Sequence, residues 1–187
     1  MGKKLGILGG MGPLATVKLF EMIVLLTKAN SDQEHIPILI DNNTSIPDRT
    51  NYLLNGTGED PRVQLIKSAK GLEELGADFL IMPCNTAHAF YEDIVKEIDI
   101  PFINMIEETA KYIRDKYPDA KKVGLLATEG TIKARVYHKV FENYGIEILS
   151  PSKEKQTHVT DLIYNIKKDI KIESLDDFYS TMDELRS

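Results

Sequence analysis

Cys84 is the single cysteine of this 187-residue chain, and its surroundings give it chemical possibilities. It follows the apolar run Asp78-Phe79-Leu80-Ile81-Met82 and Pro83, and it precedes Asn85, Thr86, Ala87 and His88. A free cysteine is most often a small buried hydrophobe. The end of a strand just before a helix, however, is where open α/β sheets present groups to ligands. A helix N-terminus also favours thiolate over thiol. The setting therefore admits Cys84 as a base or a nucleophile. Asn85 and Thr86 offer hydrogen-bonding groups to a substrate or, alternatively, caps to the helix. His88 stands four residues on, but a Cys–His pair at that spacing needs both residues on one helix, and Cys84 is expected to precede it. A catalytic His88 would also need an orienting acid, and none is evident.

Three other groups are chemically suggestive. Gly10-x-Gly12-x-x-Ala15, after one apolar run and before another, fits a dinucleotide fingerprint, with Asp41 as the ribose-binding acid at a loose spacing. The same glycines serve equally as a tight strand-to-helix turn, or as a helix N-terminus that holds a small carboxylate. Arg49, within Ile46-Pro47-Asp48-Arg49-Thr50, is either a bidentate carboxylate clamp or a solvated surface arginine. Lys167 and Lys168 near a helix end read as charges that compensate the helix dipole.

Composition narrows the classes. Lys plus Arg number 23 against 29 Asp plus Glu, a net charge of −6, which disfavours nucleic acid or an anionic membrane as partner. One cysteine excludes an internal disulfide and cysteine-cluster metal sites. Met1-Gly2-Lys3-Lys4-Leu5 lacks a signal-peptide core, and no apolar run approaches the roughly 18 residues of a membrane span, so a cytoplasmic location is expected.

The elements that must position these residues alternate. Leu5-Gly6-Ile7-Leu8-Gly9 reads as a strand, followed by a helix from Pro13 to about Ala29 with Leu14, Val17, Phe20, Ile23, Val24 and Thr27 along a buried face. Pro37 to Asp41 is a strand. The stretch from Asn42 to Asp60 is polar, rich in turn residues and expected to be a long loop bordering the site. A helix from Pro61 carries an apolar stripe of Val63, Leu65, Ile66, Ala69, Leu72 and Leu75 and stops at Gly76. The strand before Cys84 follows, then a short helix and a strand at Phe102 to Met105.

A second round begins after a helix over Glu107 to Lys116. Val123-Gly124-Leu125-Leu126-Ala127-Thr128-Glu129-Gly130-Thr131 matches Leu5 to Pro13 position by position, which predicts a duplicated α/β unit with parallel sheets covered by helices. A helix through Val136, Val140 and Phe141, a strand at Ile146 to Leu149, and helices over Val159 to Lys168 and Leu175 to Leu185 complete it. The domains are read as 1–105, with Cys84, and 106–187. Matching Gly6 to Gly124 puts the counterpart of Cys84 at about position 202, and matching Leu75 to Leu185 puts it at about 194. Both lie beyond Ser187, so the second domain reads as incomplete.

Taken together, Gly9-Gly10-Met11-Gly12-Pro13-Leu14-Ala15-Thr16, Ile46-Pro47-Asp48-Arg49-Thr50, Pro83-Cys84-Asn85-Thr86-Ala87-His88 and Leu126-Ala127-Thr128-Glu129-Gly130-Thr131 closely resemble the aspartate racemases of the aspartate/glutamate racemase superfamily. The resemblance spans essentially the whole chain. It implies two similar, pseudo-twofold-related α/β domains with four-stranded parallel sheets, a site in the cleft between them, and a homodimer. It also implies interconversion of L- and D-aspartate, or of glutamate, without pyridoxal phosphate, metal or other cofactor. Two thiols then face opposite sides of the substrate α-carbon, and Cys84 matches the first of them. Arg49 and Lys168 match the carboxylate-binding cations, with Lys167 one position away as the rival. Met11, Asn85, Thr86 and Thr128 match residues that line the substrate site. By this resemblance, the second cysteine motif and the closing helices of the superfamily are expected at positions beyond Ser187. The alternatives are a one-cysteine decarboxylase or isomerase of a small dicarboxylic acid, and an inactive dicarboxylate-binding fragment. With the glycine loop accounted for, the dinucleotide reading recedes.

Overall fold

The computed structural model describes residues 2–186. In chain order the strands and α-helices are β1 (Leu5–Gly9), α1 (Pro13–Leu26), β2 (Ile38–Asn42), α2 (Arg49–Asn55), α3 (Pro61–Glu74), β3 (Phe79–Ile81), α4 (Tyr91–Val95), α5 (Met105–Lys116), β4 (Lys122–Gly124), α6 (Glu129–Lys133), α7 (Val136–Glu142), β5 (Glu147–Leu149), α8 (Lys153–Lys167) and α9 (Asp176–Arg186). The chain divides into two compact units, Met1–Asp48 with Thr57–Met105, and Arg49–Gly56 with Ile106–Ser187.

In the first unit all five residues of β1 are buried, as a parallel strand with neighbours on both sides requires. The sheet order is β2-β1-β3, with Leu5 paired to Ile38 on one side and to Phe79 on the other. The strand expected at Phe102 to Met105 is reduced to a single parallel bridge between Phe102 and Leu80, because Met105 already opens α5. This sheet therefore has three strands where four were expected.

Its two long helices behave differently. Helix α3 starts cleanly: the Asp60 side chain accepts from the Arg62 amide, and Pro61 needs no partner for an N–H it lacks. Leu65, Ser68, Ala69 and Leu72 are buried, whereas Val63 and Leu75, expected in the stripe, lie off that face and are exposed. Gly76 at φ +87° ends the run. Helix α1 does not bury the face expected of it. Thr16 is its only buried residue, while Leu14, Leu25 and Leu26 are 68%, 73% and 75% exposed. The sequence is apolar nearly all round, so periodicity could not single out the side that meets β1. The helix also stops at Leu26, where Thr27 turns extended and its Oγ1 donates back to the Ile23 carbonyl at 2.6 Å.

In the second unit β4 and β5, the two strands read there from the sequence, form a two-stranded parallel sheet, in register from Lys122–Glu147 to Gly124–Leu149. The Leu125 amide extends the ladder by donating to the Leu149 carbonyl at 2.8 Å. Ile106, Phe141, Ile146 and Val159 are the large side chains buried deepest here. The expected loop from Asn42 to Asp60 contains helix α2, which packs on α6. Gly130 makes that packing possible: a Cβ there would stand 2.8 Å from the Thr50 Cα, closer than real Cβ contacts allow. Lys133 Nζ seals the pair by donating to the Leu54 carbonyl at 2.6 Å. Among the described residues no helix is long and apolar enough to cross a membrane.

Candidate active site

In the first unit the parallel register Ile7–Ile81 puts the segments after β1 and β3 at the same carboxyl edge of the sheet, where such sheets receive ligands. One segment is Gly9-Gly10-Met11 and the other is Met82-Pro83-Cys84. Gly10 has φ +91°, and its N–H donates to Thr16 Oγ1 at 2.9 Å, tying the loop to the first turn of α1. A Cβ on Gly10 would run into the Asn43 backbone, with the Asn43 nitrogen 2.7 Å away. Ala15, the third position of the dinucleotide fingerprint, is exposed, and Thr16 makes the helix-to-strand contact instead. Gly10 thus serves a turn that closes against Asn43. Met11 is buried in this loop.

Cys84 is 6% exposed, and its amide donates to the Met82 carbonyl at 2.9 Å. The helix expected after it opens as a five-residue 3-10 turn, Thr86–Phe90, followed by α4. So short a run of aligned peptides carries a weaker dipole than the helix expected. Asn85 occupies the N-cap position in αR conformation and makes no side-chain cap. Thr86 is buried beside it.

His88 does reach Cys84, contrary to the spacing argument, but through the backbone. Its Nδ1 lies 2.8 Å from the Cys84 carbonyl, which can only accept, so Nδ1 carries the proton. Nε2 is then the acceptor for the Met105 amide at 3.4 Å. The ring stacks on Tyr91 at 6.2 Å and 2°, and Tyr91 in turn donates to the Phe102 carbonyl at 2.6 Å.

Burial lowers the His88 pKa from its ordinary 6.5, and the bond to the Cys84 carbonyl opposes this only in part. A depressed histidine leaves the folded chain holding fewer protons than the unfolded chain below about pH 6.5. Its contribution is therefore complete above that value and is lost as pH falls toward the lowered folded pKa. We expect the melting temperature to fall more between pH 7 and pH 5 in the wild type than in His88→Asn, as read by calorimetry at matched ionic strength.

In the second unit Arg49 is the first residue of α2, and Thr128 is the N-cap of α6. The contact of Gly130 with Thr50 brings those two helix starts together. Thr128 is buried, accepting from the Thr131 amide at 3.3 Å and lying 3.0 Å from Thr131 Oγ1. Lys168 is exposed just past α8, with its amide bonded to the Tyr164 and Asn165 carbonyls. Lys167 Nζ sits 5.3 Å over the Tyr164 ring. Near the other end of α8, Gln156 Nε2 donates to the Ala127 carbonyl at 2.8 Å. Lys168 is thus about 18 Å along the helix from that contact, at 1.5 Å per residue. Met11, Cys84, Asn85 and Thr86 share one edge, and Arg49 and Thr128 share one helix pair.

Residues 8–185 match the Asp/Glu/Hydantoin racemase family. The chain belongs to this family. It is 33% identical over 168 residues to the broad-specificity amino-acid racemase RacX of Bacillus subtilis, covering 88% of this chain and 71% of RacX. Its fold is similar to that of Picrophilus torridus aspartate racemase, with a TM-score of 0.85, 31% identity, and coverage of 99% of this chain and 77% of that one. Against the glutamate racemase of Aquifex pyrophilus, identity is 31% over 86 residues, 34% of that protein's length. Within this racemase-family chain, the sequence carried no sign of the His88 clamp beyond a histidine four residues after Cys84, nor of the helix that begins at Arg49.

Proposed function

We propose that the chain is an aspartate racemase-type enzyme in which Cys84 performs cofactor-independent proton transfer at the α-carbon. The observation that carries this reading is the placement of Cys84 at the carboxyl edge of β3, with its amide and its carbonyl both hydrogen-bonded. The likeness to an aspartate racemase over 99% of the chain supports aspartate as substrate. The name of RacX supports testing a wider set of amino acids, glutamate first.

In the proposed step the Cys84 thiolate takes the α-proton, and the electron pair left on the α-carbon spreads into the carboxylate. An α-proton is far less acidic than a thiol, so the developing charge must be stabilised. Arg49 and Lys168 supply the cations in this reading, and Met11, Asn85, Thr86 and Thr128 orient the substrate. A proton returned from the opposite face yields the other enantiomer. A solvent-exchanged proton returned by Cys84 itself yields the starting enantiomer with a changed isotope. The same reading includes a homodimer in the cytoplasm, as a proposal that sedimentation tests. The single thiol favours one second reading, a one-cysteine decarboxylase or isomerase of a small dicarboxylic acid, which carbon dioxide release or maleate formation would reveal.

The test is proton NMR of L-aspartate in D₂O with the chain, followed by chiral separation of the product. Loss of the α-proton signal is expected, and D-aspartate in the product means that an opposite-face donor is also at work. Absence of exchange with aspartate, glutamate and a panel of neutral amino acids overturns the reading.

A further inference from the structure

We infer that His88 is a positioning residue that aims Cys84 by clamping its carbonyl, an inference that rests on Cys84 being the reactive thiol. Both ring nitrogens of His88 are engaged by backbone groups: Nδ1–H donates to the Cys84 carbonyl at 2.8 Å, and Nε2 accepts from the Met105 amide at 3.4 Å. The imidazole therefore has no nitrogen left to act as a base. Its geometry does something else. The Cys84 amide is held by the Met82 carbonyl and the Cys84 carbonyl by His88, so both peptide planes flanking the Cys84 Cα are fixed. Fixing them fixes the Cα–Cβ direction and leaves the thiol only its own side-chain rotation.

The clamp is itself braced. The His88 amide donates to the Asn85 carbonyl at 3.1 Å, the residue is 5% exposed, and its ring stacks parallel to Tyr91. Met105 is the first residue of α5 and the last of the first unit. His88 thus ties the thiol-bearing segment to the point where the chain enters α5. A reacting group displaced by about 1 Å costs about 10²-fold in rate, so a brace of this kind has catalytic leverage without touching substrate.

Two amides separate this role from general support of the fold. His88→Asn places an amide nitrogen where Nδ1 stands and keeps the donor to Cys84. His88→Gln reaches the position of Nε2 and keeps only the Met105 side. The lone thiol makes iodoacetamide alkylation report Cys84 alone. We expect the Asn variant to alkylate, and to exchange the aspartate α-proton, within about fivefold of wild type. The Gln variant should alkylate at a rate changed by about tenfold or more. Its exchange kcat should fall by about 10²-fold while KM moves less than about threefold. Equal alkylation rates in Asn, Gln and wild type overturn the inference, as does a Gln variant closer to wild type than Asn. Failure of exchange in the wild type counts against the proposed function alone, since alkylation still reads the thiol's placement.

Discussion

Cys84→Ala leaves a folded protein whose α-proton exchange on L-aspartate falls by about 10²–10⁴-fold, the usual loss when a positioned acid or base is removed. The fold survives because both hydrogen bonds of Cys84 belong to its backbone and persist in alanine. The lost sulfur leaves a small void, costing about 1 kcal/mol. Cys84→Ser restores the size and a hydroxyl but no rate, since a serine hydroxyl is un-ionised at neutral pH without a partner base, and both nitrogens of His88 are already engaged. Time-resolved proton NMR in D₂O and urea denaturation of all three proteins check this. Wild-type exchange in the alanine variant would falsify Cys84 as the base.

Gly10→Ala is expected to destabilise the chain severely while Gly12→Ala, two residues away in the same loop, does not. At Gly10 two penalties coincide. The φ of +91° disfavours any side chain by about 1–2 kcal/mol, and the new Cβ would overlap the Asn43 backbone, which has no rotamer by which to withdraw. Overpacking of that kind adds about 1–3 kcal/mol, so a total of about 2–5 kcal/mol is expected. Gly12 has φ −100° and nothing within 4 Å of a built Cβ. Alanine there should be neutral or stabilising by up to about 1 kcal/mol through reduced freedom of the unfolded chain. Urea midpoints at pH 7 measure both, and equal midpoints for the two variants would refute the steric account.

These contrasts show what the sequence made legible. Apolar runs bounded on one side by glycine or proline located β1, β2 and β3, and Pro61 located the start of α3, because burial on both faces of a parallel sheet and the fixed φ of proline leave plain marks. Helix α2 left none. Arg49-Thr50-Asn51-Tyr52-Leu53-Leu54-Asn55 lies among turn residues and is held by its packing on α6, which Gly130 permits. Phe102 to Met105 looked like a strand by composition, but α5 claims Met105 and leaves one bridge. In α1, hydrophobicity on every side hid which side faces β1. For the candidate site, Cys84 stood out by its place after a strand, whereas the His88 clamp depends on a carbonyl, and carbonyls are the same at every position of a sequence.

Strand β1 is first in the chain yet central in its sheet, so its two ladders close loops of very different length. Its ladder with β2 joins Leu5 to Ile38, while its ladder with β3 joins Leu5 to the more distant Phe79. Parallel pairing closes long loops and is correspondingly slow. The Met11 loop and the Cys84 segment flank this second ladder, so their common edge exists only where β1 and β3 are paired. Substitutions that weaken this longer-range ladder are therefore expected to loosen the thiol's surroundings together with the sheet.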